Sequence, residues 1–184
     1  MKSNFSIINI FTMTLLFSLF LMPTFFAQAD ETDKNLSVGI GNSLYKNIQT
    51  KQLILFYKIP ELSLKHGYFS LNSDVNLELI SVKKSTIMIA GLVPMFRYDL
   101  RLGTIQTFIN AGIGINYLNN HNISTRNLGS HFIFSDMISI GSTVYNSGNF
   151  ALEISYLIRH ISNAGFFSSN EGFNSQYLVF SIII

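Results

Sequence analysis

The chain has 184 residues, a formal net charge of +2 and no cysteine. That length suits one domain once an export signal is set aside. The near-neutral charge argues against nucleic acid as a partner, and the missing cysteines exclude disulfides and zinc–thiolate sites.

The first segment reads as a secretory signal peptide over residues 1–29. Lys2 gives a small positive start, Ile7 to Phe26 is mostly apolar with Pro23 near its end, and Ala27-Gln28-Ala29 supplies an A-x-A cleavage site. Pro23 and the small-residue site favour export over an uncleaved anchor. Residues 30–184 then form a single domain. They lose one lysine and no acid, which leaves a formal charge of +1.

No stretch of this domain offers the ~20 continuous apolar residues of a membrane helix. It is nevertheless rich in Ile, Leu and Phe, low in charge, and alternates with a period of two. From Leu71 to Leu79 the odd positions are Leu71, Ser73, Val75, Leu77 and Leu79; Asn72, Asp74, Asn76 and Glu78 lie opposite. From Thr104 to Leu118, Ile105, Thr107, Ile109, Ala111, Ile113, Ile115 and Tyr117 form an outer set, while Phe108, Asn110, Gly112, Gly114 and Asn116 form an inner one. Small and polar groups suit a narrow barrel interior, and branched apolar groups suit lipid.

Eight strands are expected, at 35–46, 50–59, 68–81, 86–101, 104–118, 130–145, 149–162 and 173–184. The fold class is therefore all-β, an eight-stranded antiparallel transmembrane β-barrel. Closure is required because an open edge in lipid leaves backbone groups unpaired, at several kcal/mol each. Asp99–Gly103 and Asn146–Asn149 read as tight turns, and Asn119–Ser130 and Asn163–Gly172 as longer polar loops. Pro60–Gly67 is longer than a periplasmic turn should be.

The chemistry lies at Tyr156-Leu-Ile-Arg-His160-Ile-Ser162-Asn163-Ala164-Gly165, followed by Asn170-Glu171-Gly172-Phe173-Asn174. His and Ser two apart on a strand share a face, with Cβ atoms about 7 Å apart. A hydroxyl becomes a useful nucleophile when a base takes its proton. Leu152, Ile154, Tyr156, Ile158 and His160 share the apolar side of the seventh strand, and Ser162 continues it, so the pair is expected outside the barrel at the end of the apolar band. With a periplasmic N-terminus this end lies at the outer leaflet. On the eighth strand, Asn174 falls on the same parity as Leu178, Phe180, Ile182 and Ile184, where it could face the pair.

This stretch resembles the lipid A 3-O-deacylases of Gram-negative outer membranes, the PagL-like family. The resemblance rests on His160-Ile-Ser162-Asn163-Ala164 and on the Asn170-Glu171-Gly172 turn into the last strand, with Val93-Pro94-Met95-Phe96-Arg97-Tyr98 in support. It implies that Ser162 is the nucleophile, that His160 is its base, and that Asn163 and Gly165 help form the oxyanion hole. It further implies hydrolysis of the 3-O-linked acyl ester of lipid A, a part of lipopolysaccharide, with release of a 3-hydroxy fatty acid. The family's usual pattern places Glu two residues after the turn glycine, where this sequence has Asn174. An Asn carbonyl can orient an imidazole, as in Cys-His-Asn proteases, but brings no charge. Asn174 is favoured as the third member, with Glu171 as the alternative.

His66, His121 and His131 read as turn or rim residues. Glu153 is expected to pair inside the barrel with Arg97 or Arg159, and Lys83-Lys84 to sit at an outer loop. No cofactor and no metal is required by this mechanism. The sequence leaves the oligomeric state open, a homodimer included. The competing readings are a non-enzymatic structural or adhesive barrel and an acyltransferase acting on the same lipid.

Overall fold

The computed structural model describes residues 35–59, 64–66, 68–83 and 85–184. The expected signal peptide lies outside them. Eleven strands follow in chain order: β1 (Asn35–Ser43), β2 (Lys51–Lys58), β3 (Leu64–His66), β4 (Phe69–Val82), β5 (Ser85–Leu102), β6 (Ile105–Leu118), β7 (Asn122–Ile123), β8 (Arg126–Asn127), β9 (Phe132–Asn146), β10 (Ala151–Ser162) and β11 (Phe173–Ile183). Eight long strands form one antiparallel sheet in the order β2-β1-β11-β10-β9-β6-β5-β4, and pairing of β2 with β4 closes it. The eight-stranded antiparallel barrel expected from the alternation is therefore the observed fold. Closure leaves neither edge strand of the long set unpaired. Among the described residues no helix is long and apolar enough to cross a membrane, and a barrel crosses with strands.

The connections sort by end. β5 and β6 join through 103–104, and β9 and β10 through 147–150, at one end of the barrel, the turn end. The loops 44–50, 119–131 and 163–172 lie at the opposite, loop end, together with the short turn between β4 and β5. Part of the long segment that resisted a turn reading is a strand: Leu64, Lys65 and His66 pair with Leu71, Ser70 and Phe69 and extend the β4 hairpin. The β5–β6 ladder lapses at Val93–Pro94, where proline has no N–H to donate. One bulge, at Leu152/Glu153, shifts the register of β10 on β9 near the turn end. It lies too far down the strand to disturb the parity at His160.

Parity separates the two barrel faces as the sequence pattern demands. Outward residues such as Leu36, Ile40, Ile109, Ile115, Ile138, Ile140, Ile154, Ile158, Phe180 and Ile182 are exposed. Ile113, on the same outward parity, is the exception and is covered. Inside, two apolar clusters fill the barrel. One, around Ile80, Ile87, Leu118, Ile133, Ile161 and Phe173, underlies the loop end; the other, around Ile54, Phe56, Met95, Leu157 and Tyr177, lies deeper.

Buried charges are paired, as the cost of an isolated one requires. Arg97 forks onto both oxygens of Glu153, at 2.9 and 2.6 Å, and reaches Asp99 at 2.9 Å. Its guanidinium also lies over the Phe108 ring. Of the two partners expected for Glu153, Arg97 is the one found. Arg159 instead pairs with Glu78, which also accepts from the Tyr177 hydroxyl, and gives a further bond to Asn116 at 3.0 Å. These cross-barrel bonds tie β10 and β11 to β4 and β6 beneath the loop end.

Candidate active site

β10 and β11 run antiparallel, and His160 lies directly across from Asn174. Outward parity carries His160 and Ser162 to the exterior of the barrel above exposed Ile154, Tyr156 and Ile158. His160 Nδ1 and Asn174 Oδ1 are 2.5 Å apart. A carbonyl oxygen can only accept, so this contact places the imidazole proton on Nδ1 and leaves the Nε2 lone pair free. Ser162 is half-buried at the last position of β10, and its Oγ accepts from the Ala164 N–H at 3.3 Å. Among the described residues no hydrogen bond joins His160 to Ser162.

The turn after Ser162 has its own geometry. Ala164 and Gly165 both take positive φ, 55° and 82°, a conformation rare for a residue with a Cβ. Asn163 holds this turn from within and is fully buried. Its Nδ2 donates to Leu128 O at 2.7 Å and Ser169 O at 2.6 Å, while its Oδ1 accepts from the Gly165 N–H at 2.9 Å. The Asn163 N–H goes to Asn170 Oδ1 at 3.0 Å. Both residues expected at the oxyanion hole thus sit in the turn beside Ser162, with their N–H groups given to side-chain carbonyls of the same loop.

Gly172, at φ +62°, brings the chain back into β11 against the imidazole. A Cβ there would stand 2.7 Å from His160 Cε1 and 3.3 Å from Nε2, so only glycine fits without displacing the ring.

A family model described as Lipid A 3-O-deacylase (PagL) matches residues 55–182. The chain belongs to this family. Over 94 residues it is 33% identical to the lipid A deacylase PagL of Pseudomonas aeruginosa, a match covering 51% of this chain and 52% of that protein. The chain thus spans about half the length of that curated relative. Among solved structures it is similar to the crystal structure of the outer membrane enzyme PagL, with a TM-score of 0.65 and 23% identity over 80% of this chain and 97% of that one. It is also similar to Neisserial surface protein A, with a TM-score of 0.54 and 10% identity over 83% and 94% of the two chains. The barrel is thus common to proteins of quite different description, so the fold alone does not fix a function.

Asn174, two residues after the turn glycine, is the residue bonded to His160. Glu171 points elsewhere. Its carboxylate accepts from the Asn127 N–H and its own N–H goes to Asn127 O at 3.1 Å, which ties the 163–172 loop to β8. Arg126 completes that tie through the carbonyls of Glu171 and, at 2.6 Å, Gly172.

Three residues near the pair had no signal in the sequence. Asp136 lies across from His160 on β9, on the flank opposite Asn174. Tyr45, in the loop after β1, accepts from Asn174 Nδ2 at 3.1 Å. Arg126 lies over the Tyr45 ring, 4.3 Å from its centroid. Each comes from a strand or loop distant in sequence, so local spacing could not reveal them. His131 is a rim residue, bonded to Leu118 O at 2.8 Å and packed on Tyr117 and His121. The side chain of His66 lies outside the described residues, as does Lys84.

Proposed function

We propose that the chain is an outer-membrane esterase that hydrolyses the 3-O-linked acyl ester of lipid A and releases a 3-hydroxy fatty acid. The observation that carries this reading is the His160–Asn174 bond on the outer barrel surface, with Ser162 two residues along the same face at the end of an exposed apolar belt. Lipid would cover that belt. A nucleophile at its margin meets the acyl ester of a lipid headgroup rather than a soluble substrate. Membership of the family and similarity to a lipid A deacylase support the substrate class.

In this reading His160 Nε2 takes the proton of Ser162 Oγ as the oxygen attacks the ester carbonyl. The same proton then passes to the departing sugar oxygen, so the C–O bond breaks to a neutral alcohol. Water, deprotonated by Nε2, hydrolyses the acyl-enzyme and restores Ser162. The oxyanion is met by N–H groups of the 163–165 turn, with Asn163 and Gly165 exchanging an intraloop acceptor for the ester oxygen. Asn174 holds the imidazole in the Nδ1–H tautomer. Asp136, from the other flank, offers the negative charge that Asn174 lacks. The signal peptide over residues 1–29 would deliver the barrel to the outer membrane.

Mass spectrometry of lipid A from cells with and without the protein tests this. The wild type should remove one 3-hydroxyacyl chain, and Ser162→Ala should remove none. An unchanged mass with the wild type would leave a structural or adhesive barrel, and a gain in mass an acyltransferase; either result refutes the reading.

A further inference from the structure

Asn174 is an unusual partner for a catalytic histidine because its bond to the ring is a single neutral one. A carboxylate makes a charge-assisted bond roughly twice as strong. An amide held at one atom can rotate about its terminal torsion, which is broad and nearly two-fold. Turned by half a revolution, it would present Nδ2 to His160 Nδ1. A donor facing Nδ1 moves the ring proton to Nε2, and a protonated Nε2 cannot accept from Ser162.

A second anchor is present. Asn174 Nδ2 donates to the Tyr45 hydroxyl at 3.1 Å, so the amide is held at both ends, by Tyr45 on one side and His160 on the other. Tyr45 is itself held in place. Its ring is tilted against buried Phe173, with centroids 5.7 Å apart, and its carbonyl accepts from Ile48 N at 3.1 Å. The Arg126 guanidinium covers its face while binding the carbonyls of Glu171 and Gly172. Gly172 is the residue that packs on the His160 ring. One cation thereby seats both the phenol that holds Asn174 and the backbone that confines the imidazole.

We propose that Tyr45 is a positioning residue for the His160–Asn174 pair, its hydroxyl holding the Asn174 amide in the plane that keeps Oδ1 on Nδ1. In this orientation the hydroxyl accepts from Nδ2; a half-turn would replace that donor with Oδ1, so the contact opposes the rotation that brings Nδ2 to His160 Nδ1. The device substitutes a two-point neutral contact for the single charged contact of a carboxylate. It deepens the proposed esterase reading and rests on it for its catalytic consequence, though not for its effect on the ring.

The test is a cycle of Tyr45→Phe and Asn174→Asp in the full chain, purified in detergent micelles, with kcat and KM measured on lipid A. Tyr45→Phe removes one oxygen and leaves the ring packed on Phe173 and under Arg126. It should lower kcat about tenfold with KM unchanged, which is the scale of one net hydrogen bond. In the Asn174→Asp background, where the two acceptor oxygens are equivalent and charged, the same substitution should cost less than about twofold. Wild-type kcat in Tyr45→Phe, or an equal loss in both backgrounds, overturns the proposal.

Nitrogen-15 spectra of the His160 ring, assigned with a His160→Gln variant, give a readout that needs no activity. The wild type should show one Nδ1–H tautomer and Tyr45→Phe a mixture. An unchanged His160 spectrum in Tyr45→Phe overturns the positioning role whether or not the protein deacylates. A changed spectrum in a protein without deacylase activity supports that role and refutes the esterase reading.

Discussion

Replacing Gly172 by alanine separates two costs that usually arrive together, backbone strain and displacement of a neighbouring side chain. At φ +62° an added Cβ meets the next carbonyl oxygen, a penalty of about 1–2 kcal/mol for an L-residue. The new methyl would also stand 2.7 Å from His160 Cε1, whereas carbon atoms in contact settle at about 3.5–4.0 Å. The imidazole must therefore retreat by roughly 1 Å, and a misplacement of that size costs on the order of 10²-fold in rate. Gly103 supplies the control. Its φ is +64°, and a Cβ there meets nothing within 4 Å. It sits in the β5–β6 turn at the far end of the barrel. Both variants should lose similar stability, read as the urea midpoint of the barrel's gel-mobility shift in detergent. Only Gly172→Ala should lose kcat, by about 10–100-fold. Wild-type turnover in Gly172→Ala, or an equal loss in Gly103→Ala, would refute the claim that this glycine is there to admit the ring.

Two other substitutions probe the supports of the site. Arg159→Met leaves Glu78 buried without its cation, and breaking such a pair costs about 3–5 kcal/mol; the double change Arg159→Met with Glu78→Leu should recover most of the loss in the same unfolding assay. Glu171→Gln keeps an acceptor for the Asn127 N–H and should reduce kcat by no more than a few-fold, the effect of one weakened hydrogen bond, whereas Asn174→Ala should reduce it at least tenfold. The reverse order of these last two would return Glu171 to the third position.

The barrel and the face of its exterior that bears His160 and Ser162 were legible from the chain alone. Alternation has a period of two, so each strand reports which residues share a side without reference to any partner. The pair lies two residues apart on one strand, and β10 itself carries no irregularity between Glu153 and Ser162 that could invert it. Asn174 was reachable for the same reason, since hairpin register follows from loop length once parity is known. The choice between Asn174 and Glu171, and the choice between Arg97 and Arg159 for Glu153, depended on which strands meet across the barrel and on where the 163–172 loop folds. Asp136, Tyr45 and Arg126 depended on it entirely. Asp136 reaches His160 through the β9–β10 register, and Tyr45 and Arg126 arrive from loops on the far side of the chain. Periodicity is local and survives in one dimension; the contacts around His160 join segments up to 129 residues apart, and only closure of the sheet brings them together.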